Sequence, residues 1–420
     1  MLLSRSPGTP SQDEIAHVVI ARHAWHDPHL ILDAWGRPVN TLLYLLPSRF
    51  GLTGARIGSI MFASVTVLLA TLIAREVGLR RLYLIPLLLW FQPWFADLGH
   101  FALTEVPFSM ILTLAIYAWM KGHRRIAALT FGLLPLVRWE ALALIPLGAL
   151  ALLISRRWRL LGVLAAPLVT FLGLSVLFGG ENMSLREYLA TPAGAYGYGT
   201  WGHFFATSSP LIGPPVLLSA AFGSLRAIRD LRVLAISSVW GTYFILQVLS
   251  WRFGKGAGYA EFALPVAPGI AVLAALGVES AVASCRRIRL RPIARTLVFA
   301  VLVFVTVATL VAGVRNDTHP LDGEALAMRD AARWLRVHAP IDPEIISTHA
   351  WFQYFYELPF RSRHTGLRDG GRNVGAGTIM VWDIHYSNRW GYRLEDLMNP
   401  RNGWEHLATF RGKAAIFRKR

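Results

Sequence analysis

The feature that most constrains the fold is a series of apolar runs separated by short basic clusters. Runs such as 57–73 and 160–178 have about the length needed to cross a bilayer, which takes roughly 20 residues. Only 16% of the 420 residues are charged, whereas a typical soluble domain has roughly 25%. The sequence therefore predicts an all-α polytopic membrane protein with about ten transmembrane helices. The predicted crossings are 53–74, 82–96, 104–120, 126–137, 141–155, 160–178, 210–225, 233–250, 262–284 and 296–314.

The basic clusters predict the orientation of these helices. The chain has a formal net charge of +17, and nearly all of the excess lies in five short clusters. Short loops rich in Lys and Arg stay on the cytoplasmic side of a membrane. The charge therefore indicates topology rather than a nucleic-acid partner, which would need basic and aromatic residues interleaved on one surface. The clusters are Arg75/Arg80/Arg81, Lys121/Arg124/Arg125, Arg156/Arg157/Arg159, Arg226/Arg229/Arg232 and Arg286/Arg287/Arg289/Arg291/Arg295.

Three regions follow from this topology. Residues 1–52 are predicted to form a first extracytoplasmic loop with amphipathic helices, and residues 53–314 form the transmembrane core. In residues 315–420 the apolar runs shrink and the charges mix, which predicts a small C-terminal extracytoplasmic α/β domain. That domain is expected to contain helices at 324–337 and 393–398 and strands at 344–348, 378–382 and 414–418. We expect a multi-pass protein of a prokaryotic plasma (inner) membrane.

The predicted outer connections carry four groups of polar residues close to the membrane. Ionisable side chains at membrane depth cost free energy, and they usually face a cavity or a partner. Four such groups on one side predict a polar cleft at the outer face. The groups are Asp13 with Glu14; Asp97, His100 and Glu105; Arg138 with Glu140; and Arg252, Lys255, Tyr259 and Glu261.

Each group also has a simpler interpretation. The first acidic pair and Glu105 could lie in the first turns of helices, where acids are favoured. Arg138 and Glu140 could form a local ion pair. Arg252 and Lys255 could bind anionic lipid headgroups.

The histidines are a weak signal for a metal. Those at positions 17, 23, 26 and 29 have spacings of three and six without a cysteine, which is not a typical ligand pattern. We interpret them, and His349 in the tail, as solvated or packed side chains.

Four motifs in order resemble those of the GT-C superfamily of membrane glycosyltransferases. This superfamily includes the protein O-mannosyltransferases, the GPI-anchor and lipid-linked-oligosaccharide mannosyltransferases, and the bacterial aminoarabinose transferases. The resemblance spans about 12–314. The motifs are Asp13-Glu14 followed by Trp35-Gly36-Arg37-Pro38, then Leu103-Thr104-Glu105-Val106-Pro107, then Leu136-Val137-Arg138-Trp139-Glu140, which is like the family's Arg-Pro-Glu turn with Trp in place of Pro, and finally Glu261-Phe262-Ala263-Leu264-Pro265.

Two features depart from the family's pattern. Members usually have one more helix before the Asp-Glu loop, so a first transmembrane helix upstream of Met1 is expected to be missing or lost. The arginine usual in the late motif is replaced by Tyr259 or Glu261, and Arg252 or Lys255 could supply its charge.

The resemblance implies transfer of a sugar from a polyprenyl-phosphate carrier to an acceptor hydroxyl at the outer face, with inversion at the anomeric carbon. Mannose is the commonest sugar by resemblance, and a glycan, a lipid or a protein could be the acceptor. Asp13 would be the general base. Glu14 could orient the acceptor or hold a divalent metal ion, and no other cofactor is implied. Arg138, Arg252 and Lys255 are candidates for stabilising the leaving phosphate.

A polytopic transporter or a lipid flippase is the alternative. Such a protein would share the helices and the basic clusters, but it should show inverted repeats and polar residues near mid-membrane. The polar groups of this chain lie at one face instead, which favours the enzyme.

Overall fold

The computed structural model describes residues 6–179, 184–190, 193–194, 196–287, 319–339, 343–359, 374–389 and 391–420, together with seven scattered positions between 293 and 308. The predicted crossing 296–314 lies largely outside these residues.

The first two thirds of the chain form a bundle of apolar helices. Three of the helices begin as 3-10 turns: Pro47–Phe50 leads into α3, Trp139–Leu144 into α8, and Ala260–Val266 into α14. The helices are α1 (Gln12–His23), α2 (Pro38–Tyr44), α3 (Gly51–Glu76), α4 (Leu84–Trp90), α5 (Pro93–Leu98), α6 (Glu105–Met120), α7 (Arg124–Val137), α8 (Ile145–Ile154), α9 (Leu161–Phe178), α10 (Leu185–Leu189), α11 (His203–Ile212), α12 (Pro214–Ser224), α13 (Leu231–Arg252) and α14 (Ala267–Arg287).

Four helical segments among the described residues are long and apolar enough to cross a membrane: Pro47–Glu76, Trp158–Phe178, Leu231–Arg252 and Ala260–Ser284. Three shorter apolar segments accompany them, at Glu105–Met120, Trp139–Ile154 and Pro214–Ile228. The protein is thus a multi-pass integral membrane protein, and a total of about ten crossings stays a prediction.

The predicted helix 82–96 is divided into α4 and α5. Pro93 occupies the first turn of α5, and Gln92 before it has an extended backbone with ψ of 121°. A proline lacks the backbone N–H that would continue the preceding helix, and it disfavours helical geometry in the residue before it. The division therefore follows from Pro93.

The C-terminal region is a small α/β domain, as the sequence predicts. Its sheet has the order β1-β2-β4-β3, in which β1 and β2 are parallel and the other pairs antiparallel. In register, Ile345 faces Ile379 and Val381 faces Ile416. The elements are α15 (Gly323–His338), β1 (Ile345–Ser347), α16 (Ala350–Tyr356), β2 (Ile379–Asp383), α17 (Tyr386–Arg389), α18 (Leu394–Met398), β3 (Trp404–Phe410) and β4 (Ala414–Lys419).

Helix α1 joins this domain to the bundle. The first region is predicted to hold amphipathic helices, but α1 is buried on nearly every side, from Glu14 to Ala21. Its apolar side chains share one core with Phe352 and Ile416 of the C-terminal domain and with Ala55 of α3. An amphipathic pattern is absent from α1 because the helix packs against both parts of the protein.

Candidate functional site

Asp13 lies in the first turn of α1, in a recess where its side chain is exposed although protein surrounds it closely. Its side chain remains accessible, yet the surrounding protein removes much of its hydration. This desolvation raises the pKa of the Asp13 carboxyl above the ordinary value of 3.8. Arg37 and Arg138 oppose the increase and Glu105 adds to it. These charged groups therefore surround one carboxylate that is open to the recess.

Arg138 connects two other acids of the site. Helix α7 ends at Val137, and Arg138 has an extended backbone with φ of −151° before the next 3-10 turn begins. Its Nη1 forms an ion pair with Glu105 and donates to Thr104 Oγ1 at 3.0 Å, while Nη2 donates to Glu140 Oε1 at 2.9 Å. Arg138 is 1% exposed. The local ion pair that the sequence allows is therefore present, and it extends to Glu105 on α6.

Glu261 belongs to the same charged cluster. It lies in the 3-10 turn before α14 and within electrostatic range of Asp13, Glu105 and Arg138. The neighbouring Phe262 ring lies 4.5 Å from the Arg138 guanidinium carbon, as in a cation–π contact. The structure thus brings together Asp13, Glu105, Arg138, Glu140 and Glu261 from the predicted site.

Arg37 is a member of the site that the sequence reasoning did not select. It is 8% exposed, and its Nη1 donates to His17 Nε2 at 3.2 Å. Its Nη2 lies 3.5 Å from Tyr188 Oη on α10, and its Nε has no hydrogen-bond partner among the described residues. Its φ of 60° is uncommon for a residue with a side chain, and such strain is often found at functional sites. The sequence feature that could have identified Arg37 is its place in the Trp35-Gly36-Arg37-Pro38 motif.

His17 is held neutral beside Arg37. Burial lowers the pKa of the His17 imidazole well below its ordinary value of 6.5, and the positive charges of Arg37 and Arg138 lower it further. The ring stacks on Trp35 with centroids 4.9 Å apart. His17 therefore serves as a packed, uncharged neighbour of the site.

Glu14 points away from Asp13 and forms a buried ion pair. Its two carboxylate oxygens accept from Arg56 Nε at 2.9 Å and Nη2 at 2.7 Å, and Oε1 also accepts from the backbone N–H of Ala102 at 2.9 Å. The Glu14 side chain is fully buried and the Arg56 side chain is 2% exposed. The carboxylate that could have oriented an acceptor or held a divalent ion is thus occupied by protein donors.

Asp97 and His100 face the C-terminal domain. Asp97 Oδ1 lies 3.9 Å from His319 Nε2, and the His100 ring lies 4.0 Å from the Phe101 ring by centroids. Burial, followed by the charge of Arg56, lowers the pKa of His100. Neither residue is among the main charged neighbours of Asp13.

The loop before α14 forms a unit of its own with the preceding glycine- and tyrosine-rich segment. Gly194 N donates to Gly254 O at 2.7 Å, and Gly199 N donates to Trp251 O at 3.1 Å.

Three predicted site residues lie in this loop. The Arg252 guanidinium lies 5.7 Å from the Trp201 ring. Lys255 and Tyr259 are exposed. None of these three side chains is among the main charged neighbours of Asp13.

One group of potential metal ligands occurs within the described part of the chain, in the C-terminal domain. Ligand atoms of Glu324, His349 and Asp383 lie within 4.8 Å of one another. However, His349 Nδ1 accepts from Trp351 N at 3.2 Å, so Nε2 of a neutral ring carries the proton and cannot bind a metal. Asp383 already accepts from two hydroxyls, Thr348 and Ser387. These residues therefore fit a hydrogen-bonded network better than a metal site.

Sequence comparisons relate part of the bundle to protein mannosyltransferases. A family model described as dolichyl-phosphate-mannose-protein mannosyltransferase matches residues 45–228. The chain is also 30% identical over 166 residues to dolichyl-phosphate-mannose–protein mannosyltransferase 1 of Candida albicans. That match covers 38% of this chain and only 16% of the relative.

Structural comparisons cover nearly the whole chain. ArnT from Cupriavidus metallidurans bound to undecaprenyl phosphate is similar with a TM-score of 0.65 and 14% identity, over 99% of this chain and 95% of ArnT. Arabinofuranosyltransferase AftD from Mycobacteria has a TM-score of 0.52 and 15% identity, over 98% of this chain and 38% of AftD. At these identities the likeness shows the fold. Together with the sequence matches, it confirms the resemblance to GT-C membrane glycosyltransferases.

Proposed function

We propose that this protein is an inverting glycosyltransferase that moves a sugar from a polyprenyl-phosphate carrier to an acceptor hydroxyl at the outer face of a prokaryotic plasma membrane. The observation that carries the proposal is Asp13, a carboxylate open to a recess and surrounded by Arg37 and Arg138. The similar proteins support the donor class, since one is a dolichyl-phosphate-mannose-dependent enzyme and another was solved with undecaprenyl phosphate.

Asp13 is the proposed general base. A base must be accessible to the acceptor, and Asp13 is the exposed member of the first acidic pair whereas Glu14 is buried in an ion pair. Desolvation raises its pKa, which makes the carboxylate a better proton acceptor as long as it stays ionised. As the acceptor oxygen attacks the anomeric carbon, Asp13 takes its proton, and the sugar–phosphate bond breaks on the opposite side. Attack from that side inverts the anomeric centre.

Arg37 is proposed to stabilise the leaving phosphate. A lipid phosphate is a good leaving group, and it needs positive charge rather than a proton donor. Arg138 is already bound by Glu105 and Glu140, so its charge is largely neutralised. Within the described residues Arg37 bonds only to neutral groups, such as His17 and Tyr188, so its positive charge is not neutralised. An arginine fork suits phosphate oxygens. Arg252 and Lys255 remain further candidates should the outer loop close over the donor.

The Arg138 network is proposed to position the site rather than to react. Glu105 opens α6 and Glu140 lies before α8, so one guanidinium links two segments of the bundle. Glu261 lies beside this network and could bind hydroxyl groups of the sugar or of the acceptor. Mannose is the proposed sugar because the sequence matches point to mannosyltransferases. The proposed acceptor is a hydroxyl group of a glycan, a lipid or a protein.

The test is transfer from labelled polyprenyl-phosphate mannose by the purified protein in liposomes, with membrane extracts as the source of acceptor. We expect Asp13→Asn to lower the rate by about 10²- to 10⁴-fold, the usual contribution of a general base. The matched control is Asp27→Asn, which removes a carboxylate from the same region. Within the described part of the chain, the Asp27 side chain accepts only from His29 N at the start of a 3-10 turn, where asparagine serves equally well.

The outcomes separate the parts of the proposal. Full activity of Asp13→Asn would remove Asp13 from its role, and retention of configuration in the product would exclude a single displacement. If no polyprenyl-phosphate sugar is consumed in a panel of mannose, glucose and arabinose donors, the transferase proposal fails. A transporter then becomes the better hypothesis. Turnover of arabinose alone would replace mannose as the sugar.

A further inference from the structure

An apolar cavity lies at the end of the bundle opposite the candidate site. It has a volume of about 180 Å³ and lies between α6, α7, α8, α9 and α13. Trp119, Phe131, Leu152 and Val239 are among its lining residues, and a single hydroxyl, that of Ser238, interrupts the apolar wall. Apolar cavities of comparable size stay dry and bind hydrocarbons. The cavity is therefore suited to part of a hydrocarbon chain.

The cavity is open towards the lipid between α8 and α13. Helix α13 contacts the 3-10 turn Trp139–Leu144, which comes before α8, but it has almost no contact with α8 itself. The gap is lined by Ala151 on α8 and Ala235 on α13, and Ala235 is exposed. A chain from the surrounding bilayer can therefore enter sideways.

Two arginines lie at the basic end of this cavity without an acidic partner. Arg124 Nη1 donates to Trp119 O, and its guanidinium carbon lies 3.9 Å from the centre of the Trp119 ring, which lines the cavity. Arg157 is close enough for its charge to act on Arg124. Across the described residues neither side chain forms an ion pair, whereas the nearby Lys121 is bound to Glu76 at 3.3 Å.

We propose that this cavity and its two arginines bind one anionic phospholipid. The phosphate would lie between Arg124 and Arg157 and relieve their mutual repulsion, and one acyl chain would fill the apolar cavity. The positive charge of the two arginines and the apolar cavity together favour an anionic phospholipid over the other candidates. A zwitterionic lipid would bring its own cation to the arginines, and a free phosphate would leave the cavity unfilled. A donor chain reaching down from the candidate site would not need the arginines, which lie about 20 Å away along α7, fourteen residues at 1.5 Å each.

The first experiment measures retention of lipid by the purified protein with native mass spectrometry. Phosphatidylglycerol is compared with phosphatidylcholine of the same acyl chains. We expect the wild type to retain phosphatidylglycerol, and the double variant Arg124→Gln/Arg157→Gln to bind it about thirtyfold more weakly, given the usual gain per basic residue beside an anionic lipid surface. Arg75→Gln is the matched control, since it removes a charge from the end of α3, which does not line the cavity.

The second experiment fills the cavity and leaves the arginines intact. Ala151→Phe combined with Ala235→Phe should abolish retention, while Ala165→Phe on the exposed side of α9 should not change it. Equal retention of both lipids, or unchanged binding by the arginine variant, would overturn the proposal. Displacement of phosphatidylglycerol by one equivalent of undecaprenyl phosphate would also overturn it, because the cavity would then hold the donor's chain.

Discussion

Of two adjacent carboxylates, Asp13 and Glu14, only Glu14 is expected to lower the stability of the protein when its charge is removed. Glu14→Gln would leave the Arg56 guanidinium buried without a counter-charge, since the Glu14 and Arg56 side chains are 0% and 2% exposed. Removing one partner of a buried ion pair costs about 3–5 kcal/mol. Glutamine keeps an oxygen that can accept from Ala102 N, so we expect a loss near the lower end, about 3 kcal/mol.

Asp13→Asn should leave the free energy of unfolding within about 0.5 kcal/mol of the wild type, because it removes a desolvated charge and breaks no ion pair within the described residues. The measurements are chemical unfolding in mixed micelles and sugar transfer on the same samples. A double-mutant cycle with Arg56→Gln should show a coupling energy above about 1 kcal/mol. The reasoning is refuted if Glu14→Gln is as stable as the wild type, or if Asp13→Asn unfolds as easily as Glu14→Gln.

Three further predictions concern the surroundings of these residues. Arg37 lowers the pKa of Asp13, so Arg37→Gln should raise that pKa and move the acidic limb of the kcat/KM profile to higher pH. An unchanged acidic limb would show that the charge of Arg37 does not act on the catalytic base. Gly254 has φ of +66°, and a Cβ there would lie 2.6 Å from the backbone nitrogen of Gly194 in the paired segment. Gly254→Ala should therefore speed amide hydrogen exchange in 193–199. The control Gly202→Ala should not, because the space around Gly202 is open. Arg138→Lys cannot bind two carboxylates as a fork and should lower the free energy of unfolding by about 2–4 kcal/mol, measured in the same micelles.

Several long helices of the bundle were predictable to within a few residues because apolar length is a local property, although Pro93 divides the predicted helix 82–96 and helix α11 was not predicted. The predicted 104–120 and 233–250 correspond to Glu105–Met120 and Leu231–Arg252. Strand β3 was not predicted, because Trp404–Phe410 is half-exposed and carries polar side chains without a strict alternation. Its partner β4 is buried at its first four residues and was predicted at 414–418.

The site was predictable where its residues lie close together in the sequence. The pair Arg138 and Glu140 is separated by one residue, so the turn itself suggested the contact. The pairing of Glu14 with Arg56 spans 42 residues and joins two helices whose relative placement no local pattern encodes. The same holds for Arg37, whose neighbour Tyr188 is 151 residues away. Long-range packing decided which acid is free and which is bound.

Helix α1 couples the C-terminal domain to the candidate base. Asp13 faces the recess, Glu14 is bound to Arg56 on α3, and the following apolar residues share a core with Phe352 of the C-terminal domain. Arg22 near the end of the helix also pairs with Glu357 at 3.2 Å. Because α1 is held from both sides, neither the bundle nor the C-terminal domain alone determines its tilt. The direction of the Asp13 carboxylate therefore depends on both, so the C-terminal domain would influence the proposed chemistry although it contributes no charged group to the cluster described around Asp13.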